Sequence, residues 1–419
     1  MVQKTYTIIL LLSLICFKAY SYDLAIPNSD GKTIYYDWLN DKTELSVSSG
    51  ESKYSGEIVI PESVSYNNKS YPITQIGRSA FGGCSELTSL IIGNKVTSIE
   101  DEAFWGCSSL TSLTIGSNVN LIGVYAFREC SGLTSLNIPN SVTNIKGGAF
   151  QFCTNLASVT LGTGVVTMGE AVFGFCSGLT SVEYHCKEIG NWFSGGQESI
   201  KEVVIGNEVT SIGDAAFSGC SGMNSITIGN NVTSIGAIAF SGCSSLTSIT
   251  LPSSVNTIGY RLFEKCSKLS SIIIPNGVTS IDYKTFSGCS SLITVTIGTG
   301  VTSIGDDAFS KCDALSSIYL HCTVPPTIRS IDHPFYDEIY KNATLYVPTG
   351  TRELYRQAEG WLSFYNISEF NSTGVEEAIG VNDREIGRYT LDGKSISTKH
   401  RGINIVKTRE GKVKKQLVK

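Results

Sequence analysis

The stretch Ile235-Gly-Ala-Ile-Ala-Phe-Ser-Gly-Cys-Ser-Ser-Leu-Thr-Ser-Ile-Thr-Leu-Pro-Ser-Ser-Val-Asn-Thr257 is one copy of a unit that recurs along most of this 419-residue chain. Its cysteine sets the phase. Cys84, Cys107, Cys130, Cys153, Cys176, Cys220, Cys243, Cys266, Cys289 and Cys312 stand 23 residues apart, except for one interval of 44. Counted from the cysteine, most units have Phe three before, Leu three after, an aliphatic residue at six and eight after, Val at twelve and Ile at fifteen. A fixed period in the range of roughly 20 to 29 residues with a Leu-x-x-Ile-x-Leu core marks a leucine-rich solenoid. Such a fold grows one rung at a time and has no single globular core, so chain length does not set a domain count.

The alternation at the sixth and eighth positions is the period of a strand with one face buried, which predicts short β-strands stacked in parallel. Gly or Pro follows each strand and ends it in a turn: Gly93, Gly116, Pro139, Gly229, Pro252, Pro275 and Gly298. The Ala-Phe pair predicts a short helical turn on the opposite side, with the ring pointing inward. Counting Phe81, Phe104, Phe127, Phe150, Phe173, Phe193, Phe217, Phe240, Phe263, Phe286, Phe309 and Phe335 gives about twelve rungs. At a strand spacing of about 4.8 Å the ladder is on the order of 55 Å long.

The cysteine column has two readings. In an exported protein an even set suggests a disulfide framework. A disulfide would pair rungs two by two, whereas the sequence treats every rung alike, which favours a column of buried thiols acting as small hydrophobes. No Cys-x-x-Cys spacing is present, so zinc is not expected. His185-Cys186 and His321-Cys322 both end strands, six rungs or about 29 Å apart, and cannot share one site.

The N-terminus reads as an export signal: Lys4, the apolar run from Ile8 to Phe17, and the small-x-small site Ala19-Tyr-Ser21, with Tyr22 as the first mature residue. Lipid modification at Cys16 is the competing reading, but Ile15 before it is not the small residue such processing wants. No other stretch approaches the ~18 apolar residues of a membrane span. Charged residues make up 16% of the chain, and the net charge is -5. Residues 375–419 carry eleven Lys/Arg against six Asp/Glu, which leaves the rest near -10 and argues against a nucleic-acid partner.

The string Ile-Gly-x-x-Ala-Phe-x-Gly-Cys-Ser-Ser-Leu-Thr-Ser-Ile-Thr-Ile resembles the repeat of the BspA-like leucine-rich repeat proteins, cell-surface proteins of anaerobic bacteria and some parasites. The resemblance runs over roughly residues 56–322. It implies a capped solenoid that adheres to host matrix or to other cells. The expected layout is a signal peptide at 1–21, an N-terminal cap at 22–75, the solenoid at 76–322, a C-terminal cap at 323–370, and a linker with a basic β-hairpin tail at 371–419. The tail, with Arg388-Tyr-Thr-Leu-Asp-Gly-Lys394 and Gly402-Ile-Asn-Ile-Val-Lys407, is similar to the sorting domain recognised by type IX secretion, though shorter. A solvated basic tail is the alternative.

Chemistry has little to work with. A hydrolase needs a nucleophile, a base and an orienter close together. The four histidines are at 185, 321, 333 and 400, and Asp332-His333 lies in the terminal cap without a spaced partner, so a hydrolase using cap residues is the lesser alternative. Gly162-Thr-Gly164 and Gly298-Thr-Gly300 occupy rung turns with no Gly-Lys-Ser/Thr after them, so they are not phosphate loops. No enzyme activity, cofactor or metal is expected.

What remains is the exposed strand face, five and seven residues after each cysteine. Its first column is almost all serine (Ser89, Ser112, Ser135, Ser158, Ser181, Ser225, Ser248, Ser271, Ser317) and its second is rich in threonine. A strip of small hydroxyls suits an extended extracellular protein or, alternatively, a glycan; strand propensity and solubility explain it equally well. Candidate binding residues are the departures from the pattern: Glu183, Glu202, Tyr319, and Trp192 and Phe193 of the shortened rung Trp192-Phe193-Ser-Gly-Gly-Gln197. The expected location is extracellular or the outer cell surface, and the expected state is a monomer.

Overall fold

The computed structural model describes residues 22–28, 30–192, 197–328 and 334–371, with the backbone of Glu385–Tyr389, Ser395–Ile396, Gly402–Thr408 and Val413–Val418. The expected export segment 1–21, Phe193 and Asp332-His333 lie outside the described residues.

Each rung has three sides. The first carries the strand expected from the sequence; Ser158–Leu161 pairs in parallel with Ser181–Tyr184, and Ser271–Ile274 with Thr294–Ile297 and then Ser317–Leu320. The second carries a two-residue strand nine residues further on, as in Ser98–Ile99 beside Leu121–Ile122 beside Asn144–Ile145. On both sides the inward-facing alternate positions are aliphatic in nearly every rung and are largely buried.

The third side differs from the short helical turn that the Ala-Phe pair predicts. It is a run of β-turns, in which Ala80, Gly82 and Cys84 donate to the carbonyls three residues before them. The intervening N–H groups of Ser79, Phe81 and Gly83 donate to Asp101, Ala103 and Trp105 of the next rung, so this side is also tied rung to rung. Two residues per rung take left-handed backbone, five before and one before the cysteine: Ala215 (φ 55) with Gly219 (φ 78), Ile238 (φ 51) with Gly242 (φ 78), Arg261 (φ 54) with Lys265 (φ 62). A helix would spend these N–H groups within the rung. The solenoid needs them between rungs, because every buried backbone group must find a partner.

The Phe rings form the axis of the core. Successive rings stack at 4.8–5.5 Å from Phe81 to Phe173 and at 5.0–5.6 Å from Phe217 to Phe335, with interplanar angles of 1–20°. Such pairs add about 0.5–1.5 kcal/mol each beyond the area they bury. The twelve described cysteines are free and buried. Beyond filling space, the thiols of Cys107, Cys130, Cys153, Cys176, Cys243, Cys266, Cys289 and Cys312 donate at 3.1–3.3 Å to the carbonyl of the Phe one rung back. Burial pushes the thiols of Cys220, Cys266 and Cys312 up to about 12, which suppresses the reactive thiolate.

Threonines use their hydroxyls in the same repeating way. Thr111 and Thr180 at the start of the first strand, and Thr97, Thr143, Thr210, Thr233 and Thr302 at the start of the second, donate to the carbonyl at the matching position one rung back.

Both ends of the stack are covered, as an open solenoid requires. At the N-terminal end Gly56–Ile60 pairs with Leu87–Ile92, the strands Leu24–Pro27, Thr33–Leu39 and Glu44–Ser48 extend the second ladder, and Tyr54 lies 4.4 Å from Phe81. At the C-terminal end Thr344–Pro348 and Asn366–Phe370 extend the first ladder. Tyr355 Oη donates to Cys322 O and Trp361 Nε1 to Pro326 O, both at 2.7 Å. The last four described strands form an antiparallel sheet in which Gly402–Thr408 pairs with Val413–Val418, the hairpin expected for the tail.

Candidate functional site

The first-ladder face is open along its length, with its second column half-buried to exposed and Ile91 and Ile273 44% and 38% accessible. Two groups of side chains break its monotony.

The first lies at the irregular rung. Here the register advances by 21 residues, from Ser181 to Glu202, where the regular rungs advance by 23. Glu183 Oε1 lies 3.1 Å from His185 Nε2, and His185 Nδ1 lies 3.1 Å from Glu208 Oε2. The imidazole is therefore held at both nitrogens by carboxylates. The bond to Glu208 is the main reason its pKa is raised, with Glu183 adding to it against a smaller effect of burial. Glu208 is correspondingly lowered by His185. Gly206 makes the contact possible, because a Cβ there would stand 2.7 Å from His185 Nδ1 and 2.5 Å from Glu208 Oε2. Glu202 is exposed one rung beyond Ser181, in the serine column. The node carries more carboxylates than its single imidazole balances and suits a cationic side chain.

The second group closes the C-terminal end of the strip. Tyr319 stacks on Tyr346 at 4.4 Å and 6°, and Phe370 stands edge-on to Tyr319 at 5.8 Å and to His321 at 5.0 Å. Tyr319 and Tyr346 are directly opposite on adjacent strands. Burial lowers the pKa of His321, so this end is aromatic and uncharged. Glu183 and Tyr319 are six rungs apart in the same column, about 29 Å at the usual strand spacing.

Of the sequence candidates, Glu183, Glu202 and Tyr319 lie on the open face, with Glu183 and Glu202 on adjacent rungs and Tyr319 at the far end. Trp192 does not: it is only 8% accessible and packs 6.3 Å from Tyr184, with Gly190 leaving room for the indole. The shortened rung singles this residue out as a departure from the pattern without fixing which side of the chain its ring takes, and the ring is core. Phe193 lies outside the described residues. His185 and Glu208 are 23 residues apart, but the register here advances by 21 and sets His185 opposite Gly206, so the regular period does not bring the pair together on paper. Tyr346 and Phe370 were not recoverable from the sequence either, because the C-terminal cap interrupts the period. Among the described residues no group of three or more His, Cys, Asp or Glu is arranged to hold a metal ion, and no helix is long and apolar enough to cross a membrane.

The family model described as the BspA type leucine-rich repeat region, in six copies, matches residues 74–194 and 187–316. No curated protein matches. Among solved structures, a leucine-rich repeat protein from Bacteroides ovatus is similar at 26% identity and a TM-score of 0.51, over 84% of this chain and all of that one. A leucine rich cell surface protein from Faecalibacterium prausnitzii is 26% identical over 86% of this chain and 98% of that one, with a TM-score of 0.38.

Proposed function

Because the chain belongs to the BspA type leucine-rich repeat family, we propose that it is a non-enzymatic adhesion protein, located outside the cell, that holds an extended protein segment along the first-ladder face. The fold is a protein-binding repeat architecture. The observation that carries the finer reading is the stretch of open hydroxyl strip that runs from the Glu183–His185–Glu208 node at mid-length to the Tyr319–Tyr346–Phe370 cluster at the C-terminal end. The node favours a lysine or arginine, the aromatic cluster an apolar or aromatic anchor, and the strip between them the polar backbone of the segment. Aromatic anchors combined with a charged contact are the usual makings of an interface hot spot.

The test is capture of purified extracellular matrix proteins by the full chain, with a glycan array in parallel. Binding to a matrix protein that competes with a basic, aromatic peptide supports the reading. Binding to glycans alone, weakened by substitution of Tyr319, contradicts it. Export belongs to the same proposal: residues 1–21 direct the chain across the inner membrane and the basic tail routes it outward. Deleting residues 375–419 then leaves protein inside the envelope, and equal surface proteolysis of intact cells making either form contradicts the role of the tail.

A further inference from the structure

The third side of the solenoid carries a second set of departures, unrelated to the strand face. The residue just before each cysteine has left-handed backbone, and in five rungs it is glycine: Gly83, Gly106, Gly219, Gly242 and Gly288. In two neighbouring rungs it is phenylalanine. Phe152 and Phe175 both have φ 60, a conformation that bulky side chains rarely adopt and that the repeat imposes at this position whatever the residue, as at Glu129, Lys265 and Lys311. Neither ring serves the core, which the Phe150 and Phe173 rings already fill. The two outer rings instead stack on each other at 4.8 Å and 6°, and Phe175 is 54% accessible.

The ladder continues toward the N-terminus. The Arg128 guanidinium lies 5.3 Å from the Phe152 ring centre and 5.0 Å from that of Tyr125, itself left-handed at φ 55. Gly148 leaves the space in which the Tyr125 ring lies, since any Cβ there would collide with it. Trp105, 46% accessible, stands one rung before Arg128 in the same column. The local charges cancel: Arg128 Nε is 3.2 Å from Glu129 Oε1, and Glu102 is 3.3 Å from Arg78.

We infer that the strip formed by Trp105, Arg128, Phe152 and Phe175 is a second binding site, for a neutral linear polysaccharide. Three features select this occupant. The ion pairs leave rings and hydrogen-bonding groups without net charge, which disfavours a charged polymer. The strip advances by one ring or planar group per rung, a repeat close to one sugar residue, and Gln151 adds a polar group in the Trp105 column. The strip is also narrow. Four rungs span roughly 15 Å, and at two residues wide the patch falls well short of the ~800 Å² per partner of a stable protein interface.

The left-handed geometry supplies a clean test. In the full-length chain, Phe152→Gly with Phe175→Gly places the residue that five other rungs already use, so the fold keeps or gains thermal stability. Phe152→Lys with Phe175→Lys is a second variant that copies Lys265 and Lys311 at the same position. Wild type and both variants are run through native gels containing soluble xylan, mixed-linkage glucan, mannan or amylose. The expected result is retardation of wild type by at least one polysaccharide, weakened at least tenfold in whichever variants melt at or above the wild-type temperature. Absence of retardation of wild type in all four, or equal retardation of a stable variant, overturns the proposal. So does wild-type self-association in sedimentation that the same variants abolish while no polysaccharide binds, which would assign the strip to a second copy of the chain.

Discussion

The rung from Ile235 to Thr257 and the rung between Cys176 and Cys220 are built from the same unit and end differently. In the first, Phe240 stacks on both neighbours at 5.5 Å with angles of 6° and 7°, and Cys243 and Cys266 donate to the Phe carbonyls behind them. In the second, the register is two residues short and Tyr184 turns edge-on to Phe217 at 85°. On the outer face of that rung Glu183 and Glu208 hold His185 between them, with Glu202 exposed on the adjacent strand. Regular rungs hold the molecule together through repeated, interchangeable contacts. The irregular one breaks interchangeability and gives that stretch of a long uniform surface a distinct address.

That contrast is sharpest in the core. Phe240→Ala opens a cavity between two stacked rings and is expected to cost about 3–5 kcal/mol in chemical denaturation. A denaturation curve that matches wild type would show that the inward ring column does not carry the stability. Cys266→Ala removes a smaller volume and one hydrogen bond, and is expected to cost about 1–2 kcal/mol. Thiol titration checks the same column without mutation. The native protein reacts slowly at pH 8, and the denatured protein without reductant yields about the full cysteine complement; a denatured count near zero would reinstate the disulfide framework.

The smallest expected effect lies at the irregular rung. Since the pKa of His185 is raised in the folded state, its contribution to stability is full below the pKa of the unfolded chain and disappears as pH rises through the folded value. Glu208, lowered in the folded state, contributes above its unfolded pKa and loses that contribution in acid. The melting temperature of wild type relative to His185→Gln is therefore expected to be highest at mildly acidic pH and to converge above neutrality. Gly206→Ala separates the two side chains and moves the His185 titration, followed by NMR, back toward its ordinary value. An unchanged titration would mean that the Glu208 contact is not what holds the imidazole.

The comparison also explains what could be read without coordinates. The Phe, Leu and Cys columns were legible because a buried position tolerates few residue types and the period repeats the choice. The conformation of the third side was not, because Ile238 and Arg261 hold left-handed backbone with nothing in their chemistry to announce it; the N–H bonds to the following rung hold them there. Trp192 was legible as a departure from the repeat but not as a core residue, because a shortened rung has no period from which to read its faces. Glu183 and Tyr319 were legible as departures, whereas their partners needed the third dimension.

The central claim is that the strand face binds a protein segment through two departures from the repeat, the Glu183–His185–Glu208 node at mid-length and the Tyr319–Tyr346–Phe370 cluster at the C-terminal end. The most direct measurement is the affinity of the full chain for a captured matrix protein, compared among wild type, Glu183→Gln with Glu208→Gln, and Tyr319→Ala with Tyr346→Ala. The account predicts that each pair weakens binding at least tenfold while the melting temperature of the solenoid at pH 8 stays close to wild type. Wild-type affinity in both folded pairs would contradict it.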